Sequence, residues 1–210
     1  MRAVVSRGFT LLEVATVLAI ITIVSALGLG AISLLKKRTD YAGTIGYLVG
    51  TVRRTRSEAF GRGINTAFVI DTTGGRWWAV EAPTTWSLNS FVPSSPGTVI
   101  ISGSLPTGMT FGPAAGYGVV LPDPFSGIST LFSQTPSPNY SYCSFCNTSA
   151  PNAGFGAILF DTTGGATFMA GHSSAVAGEQ FTVQGSYGST VRTTSVAIVG
   201  RTSVVESFEQ

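Results

Sequence analysis

Arg7-Gly8-Phe9-Thr10-Leu11-Leu12-Glu13-Val14 is the stretch on which the reading of the fold turns. A short basic leader ends at Gly8. Phe9 follows, and then an apolar run broken near its start by the carboxylate of Glu13. From Val14 to Leu35 the chain carries no charge, and the run stops at Lys36-Lys37-Arg38. About 20 apolar residues in a helix reach across the hydrocarbon core of a bilayer. A carboxylate inside such a helix costs on the order of 3 kcal/mol, so it needs a partner or a task. An ordinary secretory signal places its hydrophobic stretch before the cleavage site. Here that stretch follows Gly8, so a cut at Gly8 would leave it on the mature protein.

Beyond Arg38 the helical pattern continues. Tyr41, Ile45, Leu48, Val52 and Ala59 recur at the spacing of one helix face, with Arg53, Arg54, Arg56 and Glu58 between or opposite them. Gly61 and Gly63 supply a stop. One helix from Phe9 to about Arg62 would be roughly 80 Å long at 1.5 Å per residue. Gly28 and Gly30 each weaken it by up to ~1 kcal/mol. They read either as a segment able to loosen or as sites of close helix packing. From residue 63 on, Gly, Ser, Thr, Pro, Val and Phe dominate and charge is sparse, a β-rich and turn-rich composition. Strands are expected at Thr66 to Ile70, Arg76 to Ala82, Thr98 to Ser102, Gly118 to Leu121, Gly156 to Asp161, Ala166 to Gly171, Val191 to Val199 and Ser203 to Ser207. The expected class is α+β. A long N-terminal helix, membrane-spanning over 9–35 and amphipathic over 36–62, packs on an antiparallel β-sheet domain at 63–210 with an insertion at about 122–152.

The octet resembles the prepilin leader of type IV pilins and of the pseudopilins of type II secretion. Gly precedes the cut, Phe follows it, and Glu stands fifth in the mature chain. The resemblance implies that a prepilin peptidase removes residues 1–8 by cutting between Gly8 and Phe9, and methylates the new amine of Phe9. Glu13 then serves subunit assembly. Its carboxylate pairs with the Phe9 amine of its own chain at i, i+4 spacing, or with that of a neighbour. Arg2 and Arg7 favour a cytoplasmic leader, while Lys36, Lys37 and Arg38 compete with them. The resemblance implies that the leader stays inside. It further implies a single-pass protein of the bacterial inner membrane with a periplasmic globular domain. The resemblance also implies that such a chain moves from membrane lipid into a pilus or pseudopilus filament, which can extend to the cell surface. Its partners there are other pilin or pseudopilin subunits, met through the N-terminal helix, and the inner-membrane assembly platform.

Phe160-Asp161-Thr162-Thr163-Gly164-Gly165 and Val196-Ala197-Ile198-Val199-Gly200-Arg201 look like later motifs of the GspH/FimT-type minor pilins. The implied function is that of a minor type IV pilin, priming assembly or lying near the tip of a filament used in motility or adhesion. The alternatives are a GspH-like pseudopilin of type II protein secretion and a DNA-uptake (competence) pilin. The plainest alternative is a membrane-anchored β-domain with an uncleaved signal anchor and no filament role.

Cys143-Ser144-Phe145-Cys146 lies in the Ser-, Pro- and Asn-rich insertion, which reads as a long surface loop. In an oxidising compartment the pair is expected to form a local disulfide. A redox-active pair lacks a surrounding βαβ pattern, and a zinc site would need ligands beyond the lone His172. Phe68-Val69-Ile70-Asp71-Thr72-Thr73-Gly74-Gly75 recurs as Ile158-Leu159-Phe160-Asp161-Thr162-Thr163-Gly164-Gly165. Two hairpins explain the echo, with Asp bonding to backbone amides and the Gly pair supplying positive φ. Calcium is the sharper alternative, but each copy offers a single carboxylate. No catalytic set, phosphate loop or cofactor motif stands out, so no enzyme activity and no cofactor is expected. Without Arg2 and Arg7 the chain has ten basic residues against ten acidic, which gives no pull toward nucleic acid.

Overall fold

A computed structural model describes residues 10–112, 125, 143–147, 152–169, 178–187, 190–200 and 204–209; the side chains of 27–31, 34 and 187 are outside that description. Gly8, Phe9, His172, the expected strand at 118–121 and most of the insertion lie outside the described residues. The chain divides into two compact units, Met1–Thr39 and Asp40–Gln210, and the 52-residue helix α1, Leu11–Arg62, runs through the boundary between them.

In the first unit the described side chains of α1 are exposed on every side, including Leu11 at 90%, Ile20 at 60% and Val24 at 62%. The hydroxyls of Thr16 and Thr22 donate to the carbonyls of Glu13 and Leu18, so these two are satisfied within the helix.

The second unit starts at Asp40, within α1, and continues in nine strands (β1 Thr66–Asp71, β2 Arg76–Glu81, β3 Val99–Ser104, β4 Met109–Phe111, β5 Phe155–Phe160, β6 Ala166–Phe168, β7 Gly178–Tyr187, β8 Thr190–Val199, β9 Val205–Glu209) among the described residues. They make two antiparallel sheets, β3-β2-β1-β5-β6 and β4-β7-β8-β9. Tyr41, Ile45, Leu48, Val49, Val52 and Ala59 of α1 are buried in one core with Phe68, Ile70, Trp77, Ile158 and Phe160 of the first sheet and Phe181, Val183, Val196 and Ile198 of the second. Alternation along the strands turns Ala67, Val69, Trp78 and Val80 to the other face of the first sheet, where Leu88 and Phe91 cover them.

Two parts of the expected fold are corrected. No helix among the described residues is long and apolar enough to cross a membrane. That finding overturns the expected membrane-spanning first half at 9–35. The helix also packs on two sheets rather than one, because β7 and β4 were not anticipated. Gly178-Glu179-Gln180 and Gly185-Ser186 break the apolar alternation that announces a strand, and β4 is only three residues long.

The repeated octet has a structural meaning. β1 and β5 pair antiparallel with Phe68 opposite Ile158, the two residues that open the repeats. A local two-fold axis therefore passes between these side chains and relates β1 to β5, while the hairpins differ by one residue in register: Ile70 pairs with Trp77, and Phe160 with Ala166. Each turn is closed by its aspartate. Asp71 accepts from Gly74 N at 2.7 Å and Arg76 at 3.1 Å. Asp161 accepts from Thr163 N, Thr163 Oγ1 and Gly165 N at 2.6 to 3.0 Å. These bonds hold the Asp161 carboxyl below its ordinary range, the Thr163 hydroxyl contributing most.

Candidate functional site

At the helix start, Thr10 and Glu13 form a capping box. Glu13 N donates to Thr10 Oγ1 at 3.3 Å, and Thr10 N donates to Glu13 Oε2 at 3.4 Å. Two of the backbone donors that a helix start leaves open are thereby met reciprocally, although both bonds are long. The Thr10-Leu11-Leu12-Glu13 spacing carried that signal in the sequence, where Glu13 was read for assembly alone.

The arginine-rich face of α1 is engaged within the second unit. Arg53 donates to the Val205 carbonyl at 2.6 Å and lies 3.6 Å from Glu206. Arg56 donates to the Gly164 carbonyl at 3.1 Å, tying the helix to the second Asp-Thr-Thr-Gly-Gly turn. Arg54 faces Glu58 at 3.5 Å, and Arg62 meets Glu81 at 2.5 Å. Arg53, Arg56 and Arg62 tie the helix to strands and turns, and Arg54 pairs along the helix itself. At the end of the helix, Gly63 to Asn65, Glu81, Thr84, Trp86, Thr98 and Thr162 line an open cleft of about 660 Å3. Trp77 and Trp78 are buried away from it.

Cys143 and Cys146 are disulfide-bonded with their Cα atoms 5.4 Å apart. The reading of this segment as part of a surface loop is corrected: Cys143, Ser144, Phe145 and Cys146 are all buried. The reason lies in the sheet edges. β4 covers β7 only from Val183 to Gly185, and Cys143 takes the next stretch of that edge opposite Phe181. Ser144 N donates to the Gln180 carbonyl at 3.0 Å, and Gln180 N donates to Ser144 Oγ at 2.9 Å. On the other sheet β6 stops at Ile158, and Cys146 occupies the edge of β5 opposite Gly156. Asn147 N then donates to the Phe155 carbonyl at 2.7 Å. The short disulfide loop thus completes one edge of each sheet. Phe145 fills the gap between them, its ring 5.8 Å from Phe168 and 6.3 Å from Phe181. Closing so small a ring removes only about 2 kcal/mol of chain entropy, so its weight comes from the contacts it fixes.

Beside this loop lies an acid that the sequence reading did not single out. Glu179, on β7 opposite Ile198, is 1% exposed, and its Oε1 has no hydrogen-bond partner. Burial pushes its carboxyl up from 4.5 to about 7, against a smaller lowering by a hydrogen bond from Ser144. On the opposite face of the same strand, Gln180 Oε1 accepts from Ser195 Oγ at 3.1 Å while its Nε2 is unpaired.

No protein-family model, curated protein or solved structure matches this chain. Among the described residues no group of three His, Cys, Asp or Glu side chains is placed to hold a metal ion. The carboxylates of both repeated turns are occupied by their own loops.

Proposed function

We propose that this chain is a minor subunit of a type IV pilus or a closely related filament. The observation that carries the reading is in the first unit: the uncharged run of α1 from Val14 to Leu35, with its described side chains exposed in the isolated chain. Such a surface needs an apolar environment, and a bundle of like helices from neighbouring subunits supplies one. The leader motif before it supplies the route, through a prepilin peptidase acting at Gly8 and Phe9 and an inner-membrane assembly platform. The buried disulfide fits a β-domain that matures in the oxidising periplasm before it enters a filament. The contacts that Arg53, Arg56 and Arg62 make to strands and turns support a structural role over DNA uptake.

Mass spectrometry of sheared filaments tests the reading. The expected result is a peptide that begins with N-methylated Phe9, at a small fixed ratio to the major subunit. A chain that keeps residues 1–8 in every fraction overturns the proposal.

A further inference from the structure

We infer that the Cys143–Cys146 pair is an oxidation checkpoint on folding: the disulfide must form before the two sheets close around it. The inference concerns the second unit and stands whether or not the chain enters a filament.

Access comes first. Forming the bond requires a thiolate of the pair to attack the disulfide of an oxidising dithiol partner, releasing one partner thiolate. The second cysteine thiolate then attacks the mixed disulfide and releases the other. The pair loses two protons and two electrons, and the partner disulfide is reduced to a dithiol. Each attack needs a sulfur open to an in-line approach, yet Cys143 is 0% and Cys146 2% exposed once the domain is closed.

Space comes second. A Cβ on Gly156 would stand 2.7 Å from Cys146 Sγ and 2.8 Å from the Phe145 carbonyl oxygen, so β5 already presses against the loop. Two reduced sulfurs need van der Waals separation, and on the Cys146 side the backbone of Gly156 stands where that sulfur would move, against a loop held by Ser144 to Gln180 and by Asn147 to Phe155. Unseating the loop exposes Phe145 and lets water reach Glu179. The same segment that closes both sheets is therefore the one whose covalent state decides whether they can close.

The test uses the full chain in a mild detergent that covers helix residues 11–35. Native, oxidised protein is held in dithiothreitol, aliquots are quenched at timed intervals with excess maleimide in denaturant, and labelling of Cys143 and Cys146 is timed against the same chain held in denaturant throughout. Labelling at least a hundredfold slower in the native chain is expected; equal rates overturn the inference. In a second arm, denatured chain is refolded with the pair oxidised or reduced, read by tryptophan emission and protease resistance. The oxidised chain should recover, and the reduced chain only after oxidised glutathione is added. Equal recovery of both overturns the inference. The double variant Cys143→Ala, Cys146→Ala should give a refolding yield indifferent to glutathione, whatever its size. A yield that still depends on oxidant assigns the effect elsewhere and overturns the inference as well.

Discussion

Replacing Glu179 with Gln should change the pH dependence of stability. The carboxyl is nearly inaccessible, one oxygen has no partner, and burial moves it from 4.5 to about 7. An acid whose folded value is raised holds its proton in the native state over the range where the unfolded chain has released it. The native state binds more protons there, so stability falls as pH rises. The contribution is whole below pH 4.5 and is lost as pH climbs through about 7. The loss amounts to about 3 kcal/mol at 1.36 kcal/mol per pKa unit.

Glu179→Gln removes the charge and keeps the shape. Its amide adds an unpaired N–H group that costs about 1 kcal/mol. At pH 8 the variant should therefore be more stable than the wild type by about 2 kcal/mol, and at pH 5 slightly less stable. Urea unfolding followed by tryptophan emission measures this, because Trp77 and Trp78 are both buried in the second unit. Taking the difference between the two chains cancels groups common to both. Asp161, lowered by its turn, acts in the acid range, and Tyr41, raised by burial, acts above pH 10. Parallel pH profiles for the two chains would refute the reasoning.

Three further outcomes follow from the packing. Gly156→Ala forces a methyl against the Phe145 carbonyl and Cys146 Sγ, and should cost at least ~2 kcal/mol in thermal or urea unfolding, with faster labelling of the cysteines under reductant. Tyr41→Phe removes a hydroxyl bonded to Thr194 Oγ1 at 2.8 Å and the Val183 carbonyl at 3.2 Å, and should cost about 1 kcal/mol. At the helix start, Glu13→Gln keeps a side chain able to close the capping box but removes its charge, whereas Thr10→Ala keeps the charge and loses the cap. If charge drives assembly, filament incorporation fails in the first variant and survives in the second, while circular dichroism shows fraying only in the second.

The helix stripe from Tyr41 to Ala59 could be read directly, because a period of 3.6 over many residues has no competing explanation. Hairpins β1-β2 and β5-β6 were equally open to reading, since an Asp and a Gly pair between apolar runs specify a turn. β7 was not: Glu179 and Gln180 are polar yet buried, and a sequence window weighs them as solvent-facing. Cys-x-x-Cys spacing fixes a ring size and says nothing of depth. What buries that ring is the unequal length of strands distant in sequence, β4 against β7 and β6 against β5. Thr10 and Glu13 were readable as a cap, but the family resemblance drew attention to the charge alone.

The axis between Phe68 and Ile158 has a consequence for recognition. β1 and β5 run in opposite directions, so the Asp-Thr-Thr-Gly-Gly turns that end them, alike in sequence, stand at opposite ends of the sheet. A sequence displayed at both ends does not by itself tell a neighbour which end it has reached. Any polarity the subunit shows must be read from what differs around the copies: Arg56 grips the Gly164 carbonyl at one end, while Thr72 holds the Gly154 carbonyl at the other. The duplicated turns act as scaffold, and the unmatched residues beside them carry the address.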